Sequence, residues 1–108
     1  INLAGQSGIT TLESFGSAHT NTITYSNVGA IAALSLSNTS NAGAHTVTYT
    51  AATVAGSADT QNITLNTASG TGVTTIAGVE TVAITASNAS NINLVAAAAT
   101  AAAAADST

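Results

Sequence analysis

Short runs in which apolar residues alternate with Thr, Ser or Asn recur along the whole chain, and this period constrains the fold more than any other feature. A two-residue period places apolar side chains on one face of an extended strand and hydroxyl or amide side chains on the other. Val, Ile and Thr dominate these runs, as they do in sheets. We therefore predict an all-β domain with strands at residues 9–12, 22–25, 33–36, 46–49, 62–65, 72–76, 81–85 and 91–94.

Clusters of Gly, Asn, Ser and Ala separate the predicted strands and are typical of turns. The intervals between strands fit either a β-sandwich or a β-solenoid. A sandwich of this size usually centres on a large buried aromatic residue, but the only aromatic residues are Phe15, Tyr25 and Tyr49. Small and β-branched residues stack well in the ladders of a solenoid. We predict a parallel β-solenoid or β-roll-like stack of short strands, with a β-sandwich as the alternative.

The C-terminal stretch has a different composition, because residues 96–105 are alanine except for Thr100. Alanine has the highest helix propensity, which predicts a short helix, but isolated helices of this length are marginal in water, so a linker is equally compatible. We divide the chain into a β domain, residues 1–95, and an alanine-rich tail, residues 96–108. Because the chain begins at Ile1, we expect it to be a segment of a larger protein.

The chain contains no lysine and no arginine, and its formal net charge is −4. Without cations it cannot build the basic patch that nucleic acid requires. It has no apolar run long enough for a transmembrane helix, so membrane insertion is not expected. It also lacks cysteine, which excludes thiolate catalysis, and it has no Gly-x-Ser-x-Gly motif. We therefore predict that this chain is not an enzyme.

The two histidines, His19 and His45, stand far apart, each beside turn residues. A zinc site needs three or four ligands with supporting hydrogen bonds, and two scattered histidines do not supply them. We expect both side chains to be exposed in loops.

Sheet edges are the main physical problem for such a chain. Edge strands are usually guarded against pairing with other molecules by Lys, by Pro or by inward-pointing charges. This chain has no Lys, no Pro and only four acids. We therefore expect its edges to be covered by a neighbour, either another copy or the rest of the parent chain.

Two segments carry a more specific signal than the composition. Residues 59–65 read DTQNITL, and residues 76–85 read IAGVETVAIT. This combination of a polar strand, a loop and a Gly-Val-Glu-Thr-Val strand resembles the repeats of RTX-type surface-layer proteins, which proteobacteria export by a type I system. Residues 9–15, ITTLESF, are a looser version of the same Glu-bearing turn and strand. Elsewhere the resemblance is one of composition.

The resemblance implies a secreted protein of the bacterial cell surface that forms a lattice and whose assembly uses calcium. It makes Glu80, Asp59 and Glu13 the candidate calcium ligands. Each of these acids also fits a purely structural position, such as a turn where a carboxylate caps backbone N–H groups. The chain departs from the family in one respect, because it lacks the Gly-Gly-x-Gly-x-Asp nonapeptide that binds calcium in RTX β-rolls.

Threonine spacing supports an alternative function. Thr-x-Thr units stand at residues 22–24, 46–48 and 48–50. On a flat solenoid face such units form ice-binding arrays, although the intervals here are irregular. The sequence thus predicts a structural, self-assembling surface-layer segment, with an adhesin or ice-binding solenoid module as the alternative.

Overall fold

The structure is a computed structural model that describes residues 1–18, 20–40, 44–69, 72–96 and 103–104. In this part of the chain the regular elements are all β-strands, with no helix. The strands are β1 (Thr11–Phe15), β2 (Ile23–Val28), β3 (Ala33–Ser40), β4 (His45–Tyr49), β5 (Thr60–Ser69), β6 (Val73–Ile76), β7 (Thr81–Ser87), β8 (Asn93–Ala96) and β9 (Ala103–Ala104). All eight predicted strands are confirmed, with shifted ends.

The strands coil into a parallel β-solenoid of about 4 turns. Odd-numbered strands form one sheet in the order β1-β3-β5-β7-β9, which we call the odd sheet. Even-numbered strands form the even sheet, in the order β2-β4-β6-β8. All pairings between these strands are parallel. Because successive strands alternate between the two sheets, each turn contributes one strand to each sheet. The predicted solenoid is confirmed, and the sandwich alternative is not adopted.

Apolar side chains stack in columns between the two sheets, and the alternation decides which residues join them. In the odd sheet the register aligns Leu12, Leu34, Ile63 and Ile84, all of which are buried. Neighbouring strands lie about 4.8 Å apart, a distance at which similar aliphatic side chains pack closely against one another. This stacking explains how a chain with so few aromatic residues builds a core.

Gln61 is fully buried in this core, and its side-chain amide is hydrogen-bonded. The Gln61 amide nitrogen donates to the carbonyl oxygens of Ala32 at 2.7 Å and Asn62 at 3.0 Å. The Tyr49 hydroxyl donates to Gln61 Oε1 and accepts from the Ala32 N–H at 3.2 Å. Burial raises the pKa of Tyr49, and its hydrogen bonds to Ala32 and Gln61 offset part of that rise. The buried amide is tolerated because these groups satisfy one another.

Each of the first four turns bends at a residue with left-handed backbone. Gly16, Asn38, Thr67 and Asn88 have φ angles of 64°, 48°, 53° and 55°. The residues just before them are aligned by the register of the odd sheet, so the four form one column, which we call the left-handed column. Glycine and asparagine adopt positive φ readily, whereas a β-branched residue such as Thr67 is strained there.

The turns differ in length at one corner, the loop that links an even strand to the next odd strand. Residues 29–32 and 77–80 form short corners, whereas residues 50–59 form a longer one. Val54 in the long corner lies against Gly78 in the short corner below it. A Cβ atom added to Gly78, which has φ +91°, would lie 2.7 Å from Val54 Cγ2. The contact therefore requires glycine at this position.

The two sheets end differently at the N-terminal end of the solenoid. Residues 1–3 run along the outer edge of β2, where Asn2 forms a parallel bridge with Ser26. The Leu3 N–H donates to the Ser26 carbonyl oxygen at 2.9 Å, and the Ser26 N–H donates to the Ile1 carbonyl oxygen at 2.9 Å. None of the described strands pairs with the outer edge of β1. The even sheet is therefore extended by a short segment, whereas the odd sheet stops at β1.

The alanine-rich tail is described only in part. Ala96 ends β8, and Ala103–Ala104 form β9, which pairs with β7. The other residues of the predicted helix or linker lie outside the described residues.

Candidate functional site

The three candidate acids fall in two separate places. Glu13 is exposed in the middle of β1, whereas Asp59 and Glu80 lie in the corners that precede β5 and β7. Strand β3 lies between β1 and β5 in the odd sheet, so Glu13 is set apart from the other two. Over the ranges that the structure describes, no group of three His, Cys, Asp or Glu side chains is placed to hold a metal ion.

Asp59 and Glu80, which we call the acidic corner, are joined through their backbones. The Glu80 carboxylate accepts a hydrogen bond from the Asp59 N–H at 2.8 Å. In return the Asp59 carbonyl oxygen accepts from the N–H groups of Glu80, at 3.0 Å, and Thr81, at 3.1 Å. Glu80 thus fastens the long corner to the corner of the next turn. The Glu80 carboxylate holds the structural role that the sequence left open, because it caps a backbone N–H group.

The side chain of Asp59 has an unmet hydrogen-bonding requirement. Its Oδ2 atom is buried and has no hydrogen-bond partner in the structure. A Cβ atom added to Gly56 would lie 3.6 Å from this oxygen, so glycine leaves room beside it. A buried carboxylate oxygen is costly unless a donor or a cation meets it. The acidic corner is therefore the position in the described chain where an ion would compensate an existing cost.

One histidine expectation is wrong, and the other lies outside the described residues. His45 is not in a loop: it begins β4 and is only 1% exposed. The alternation extends one residue further toward the N-terminus than the predicted strand, and this places His45 in an inward column between Ile23 and Thr74. His19 lies outside the described ranges, so the expectation for it stays a prediction.

The outer face of the even sheet carries a column of threonines. The register aligns Thr24 with Thr46 and Thr46 with Thr75, and Val95 follows in the last turn. We call this surface the threonine face. Thr24 and Thr46 of this column belong to two of the Thr-x-Thr units, but the column ends in an apolar residue after three threonines. The face is uncharged and rich in β-branched side chains.

The outer face of the odd sheet is a second uncharged surface apart from Glu13. Its columns include one that aligns Glu13 with Ser35, Thr64 and Thr85. Phe15, at the N-terminal end of the sheet, is 67% exposed. We call this surface the hydroxyl face. Its one large exposed apolar side chain therefore belongs to the edge strand β1.

The contact between Asp59 and Glu80 and the aligned columns on both sheets join residues 20 or more positions apart, so the sequence alone does not reveal them. The sequence did not indicate that Asp59 and Glu80 meet, because their contact depends on the register of β5 on β7.

Among the described residues there is no helix that is long and apolar enough to cross a membrane. Comparison of the chain with family models, with curated proteins and with solved structures finds no match.

Proposed function

We propose that this chain is a non-enzymatic structural segment of a bacterial surface-layer-like protein. It is secreted to the cell surface and assembles with copies of itself and with the rest of its parent chain. The observation that carries the proposal is the unguarded edge of β1, which has no Lys, no Pro and no pairing strand among the described residues. The resemblance of residues 59–65 and 76–85 to RTX-type surface-layer repeats supports the same class.

The surface chemistry is compatible with close approach of identical copies. Both outer faces consist mainly of hydroxyl, amide and small apolar side chains, and the only charged side chain in β1 is Glu13. Interfaces between copies of one protein are depleted in charged residues at their centre. Four acids on a chain of this length impose only weak long-range repulsion at physiological salt.

Sedimentation velocity of the purified chain tests this proposal. We expect a concentration-dependent shift to larger species, and a larger shift with calcium than with a chelator. Electron micrographs of the same samples should contain filaments or sheets. A monomer that persists across the concentration series, both with and without calcium, contradicts the proposal.

We propose calcium as the ion that acts in this assembly, with the acidic corner as its position. The support is the buried Asp59 Oδ2 atom without a partner, beside a second carboxylate that is fixed by the Asp59 N–H. Two carboxylates are fewer ligands than calcium usually takes, so backbone carbonyls, water or a neighbouring copy must supply the rest.

Calorimetric titration with calcium separates this ion site from the assembly. Asp59→Asn keeps the shape of the side chain but removes its charge, and we expect it to abolish the calcium heat. Glu13→Gln removes one acid far from the corner and serves as the matched control, with binding unchanged. Equal calcium binding by Asp59→Asn and the unchanged protein contradicts the assignment.

The alternative function, an ice-binding or adhesin module, is favoured by one observation, the aligned threonines of the threonine face. Thermal hysteresis of the monomeric protein tests ice binding. Thr46→Val lies in the column and Thr64→Val lies on the opposite sheet, so only the first should lower the hysteresis. Absence of hysteresis in the unchanged protein rules this alternative out, and binding to a glycan array would favour the adhesin.

A further inference from the structure

We infer that His45 is a pH sensor in the interior of the solenoid, because the folded chain holds its neutral imidazole and cannot stabilise its charged form. Mild acid therefore destabilises the fold through this one residue. The sensor is independent of the proposed function, since it needs neither assembly nor a bound ion. It follows from where the fold places the imidazole and from where it places the acids.

The imidazole of His45 is enclosed by uncharged side chains. The residue is 1% exposed and begins strand β4. The register aligns it with Ile23 on β2 and with Thr74 on β6, and Thr74 is aligned in turn with Leu94 on β8. Adjacent strands put these side chains in one inward column, about 4.8 Å apart. A charged side chain removed from water this completely is costly unless an opposite charge lies beside it.

The carboxylates of the described chain lie away from this column. Glu13 is exposed on the hydroxyl face, which is the outer side of the odd sheet. Asp59 and Glu80 lie in the corners that follow the even strands β4 and β6, whereas His45 is the first residue of β4. At about 3.3 Å per residue, the five residues of β4 span roughly 13 Å. None of the three acids is therefore placed to offset a charge on the imidazole.

The strands packed around His45 carry no charged side chain. Besides the imidazole, the titratable side chains of the even sheet are those of Tyr25 and Tyr49, and burial raises the pKa of each, so both are uncharged in acid. Strands β3, β5 and β7 of the odd sheet contain no Asp, Glu, Lys, Arg or His. The amino group of Ile1 donates to the Thr24 carbonyl oxygen at 2.7 Å, at the outer edge of β2. Its positive charge opposes a second cation on His45.

The imidazole cannot reach water while β4 stays in the sheet. Side chains alternate along a strand, so His45 points inward and Thr46 lies outward in the column of the threonine face. The Ile23 N–H donates to the Ala44 carbonyl oxygen at 2.8 Å and fixes the chain directly before His45. Hydrating a charged imidazole therefore requires the start of β4 to leave β2, and this removes Thr46 from the threonine face.

The size of the effect follows from proton uptake on unfolding. An unperturbed histidine titrates near pH 6.5, so the unfolded chain gains one proton at this position below that pH. Because the folded chain does not, its unfolding equilibrium constant rises about tenfold for each pH unit below about 6.5. The expected increase from pH 7.5 to pH 5 is about 30-fold. Stability is therefore full above about pH 7 and falls on the acid side.

Urea unfolding followed by circular dichroism at pH 7.5 and pH 5 tests the inference. His45→Asn and His45→Gln remove the titrating group and keep hydrogen-bonding atoms, so the change with pH should fall below about threefold in both. His19→Asn and Asp106→Asn are the controls, because both residues titrate and lie outside the described ranges, and each variant should keep the full change. A change that persists in both His45 variants, or that either control abolishes, overturns the assignment.

The unchanged protein gives a second readout, which does not require a His45 variant to fold. In proton NMR spectra the ring signals of a histidine shift when the imidazole is charged, and the spectrum of His19→Asn identifies those of His45. We expect the His45 signals of the folded protein to keep their neutral positions down to pH 5. A His45 ring that titrates near pH 6.5 in the folded protein overturns the inference. Neither result depends on whether the sample is monomeric or assembled, so the proposed function is tested separately.

Discussion

Replacing Gly78 with alanine should destabilise the solenoid more than any other single methyl group added at a described glycine. Gly78 lies in the corner between β6 and β7 with φ +91°, and Val54 from the long corner covers it. An added Cβ atom would lie 2.7 Å from Val54 Cγ2 and 3.0 Å from Val54 Cβ. Alanine at this position therefore combines an unfavourable backbone conformation with a steric clash.

The two contributions can be estimated separately. A left-handed backbone costs an alanine about 1–2 kcal/mol relative to glycine. Forcing an extra methyl group against a packed side chain costs about 1–3 kcal/mol. Val54 packs against the core and cannot move outward without losing that contact. We therefore expect Gly78→Ala to lower the free energy of unfolding by about 2–5 kcal/mol, a large fraction of the total for a domain of this size.

Two other glycines provide matched controls in urea unfolding followed by circular dichroism. Gly16 also has positive φ, but an added Cβ would meet no atom within 4 Å, so Gly16→Ala measures the backbone contribution alone. Gly29 has neither constraint, so Gly29→Ala should change stability little. The double variant Gly78→Ala with Val54→Ala should recover about 1–3 kcal/mol as a coupling energy. If Gly78→Ala loses no more stability than Gly16→Ala, the steric argument is wrong.

Strained, unpaired and titrating groups elsewhere in the fold should also have measurable effects on stability. Thr67→Asn should raise the free energy of unfolding by about 1 kcal/mol, because asparagine tolerates the φ of 53° better than a β-branched residue; thermal melts measure it. Thr39→Val should also stabilise, by about 1 kcal/mol, because the Thr39 hydroxyl oxygen is buried without a partner; urea unfolding with unchanged slope would support this, and a loss of stability would contradict it. Stability should fall as pH rises above about 10, because burial raises the pKa of Tyr25 and of Tyr49 in the folded state, and the protonated form they favour is lost as pH passes through those raised values. The chain has no Lys, Arg or Cys that also titrates there, so Tyr25→Phe should reduce the alkaline loss, and an unchanged slope would argue against burial as its cause.

The strands were predictable because the local period decides them. Alternation placed all eight predicted strands, and the shortage of aromatic residues favoured a stack over a sandwich. The ends were less predictable, because positive φ at Asn38 and Thr67 does not interrupt strands β3 and β5, which continue to Ser40 and Ser69. A left-handed threonine has no local sequence signal, since only the column above and below it imposes that conformation.

The acidic corner and the buried histidine were not predictable for a different reason. Asp59 meets Glu80 only because β5 pairs with β7 in one particular register, and that register is set by packing along the whole sheet. The turn-like neighbours of His45 predict a loop, but the column between Ile23 and Thr74 gives it an inward position. Sequence identified the acids as candidates, and the fold decided which two of them meet.

The long corner between β4 and β5 has a consequence for how such a protein can change. Residues 50–59 exceed the equivalent corners, yet β4 keeps a constant register with β6, and β5 keeps a constant register with β3. Adding residues to a loop whose ends are already fixed costs little entropy. A corner can therefore gain sequence while the stacked columns stay the same. In this architecture new surface features can be acquired one corner at a time, and the long corner is the natural graft point for a foreign peptide.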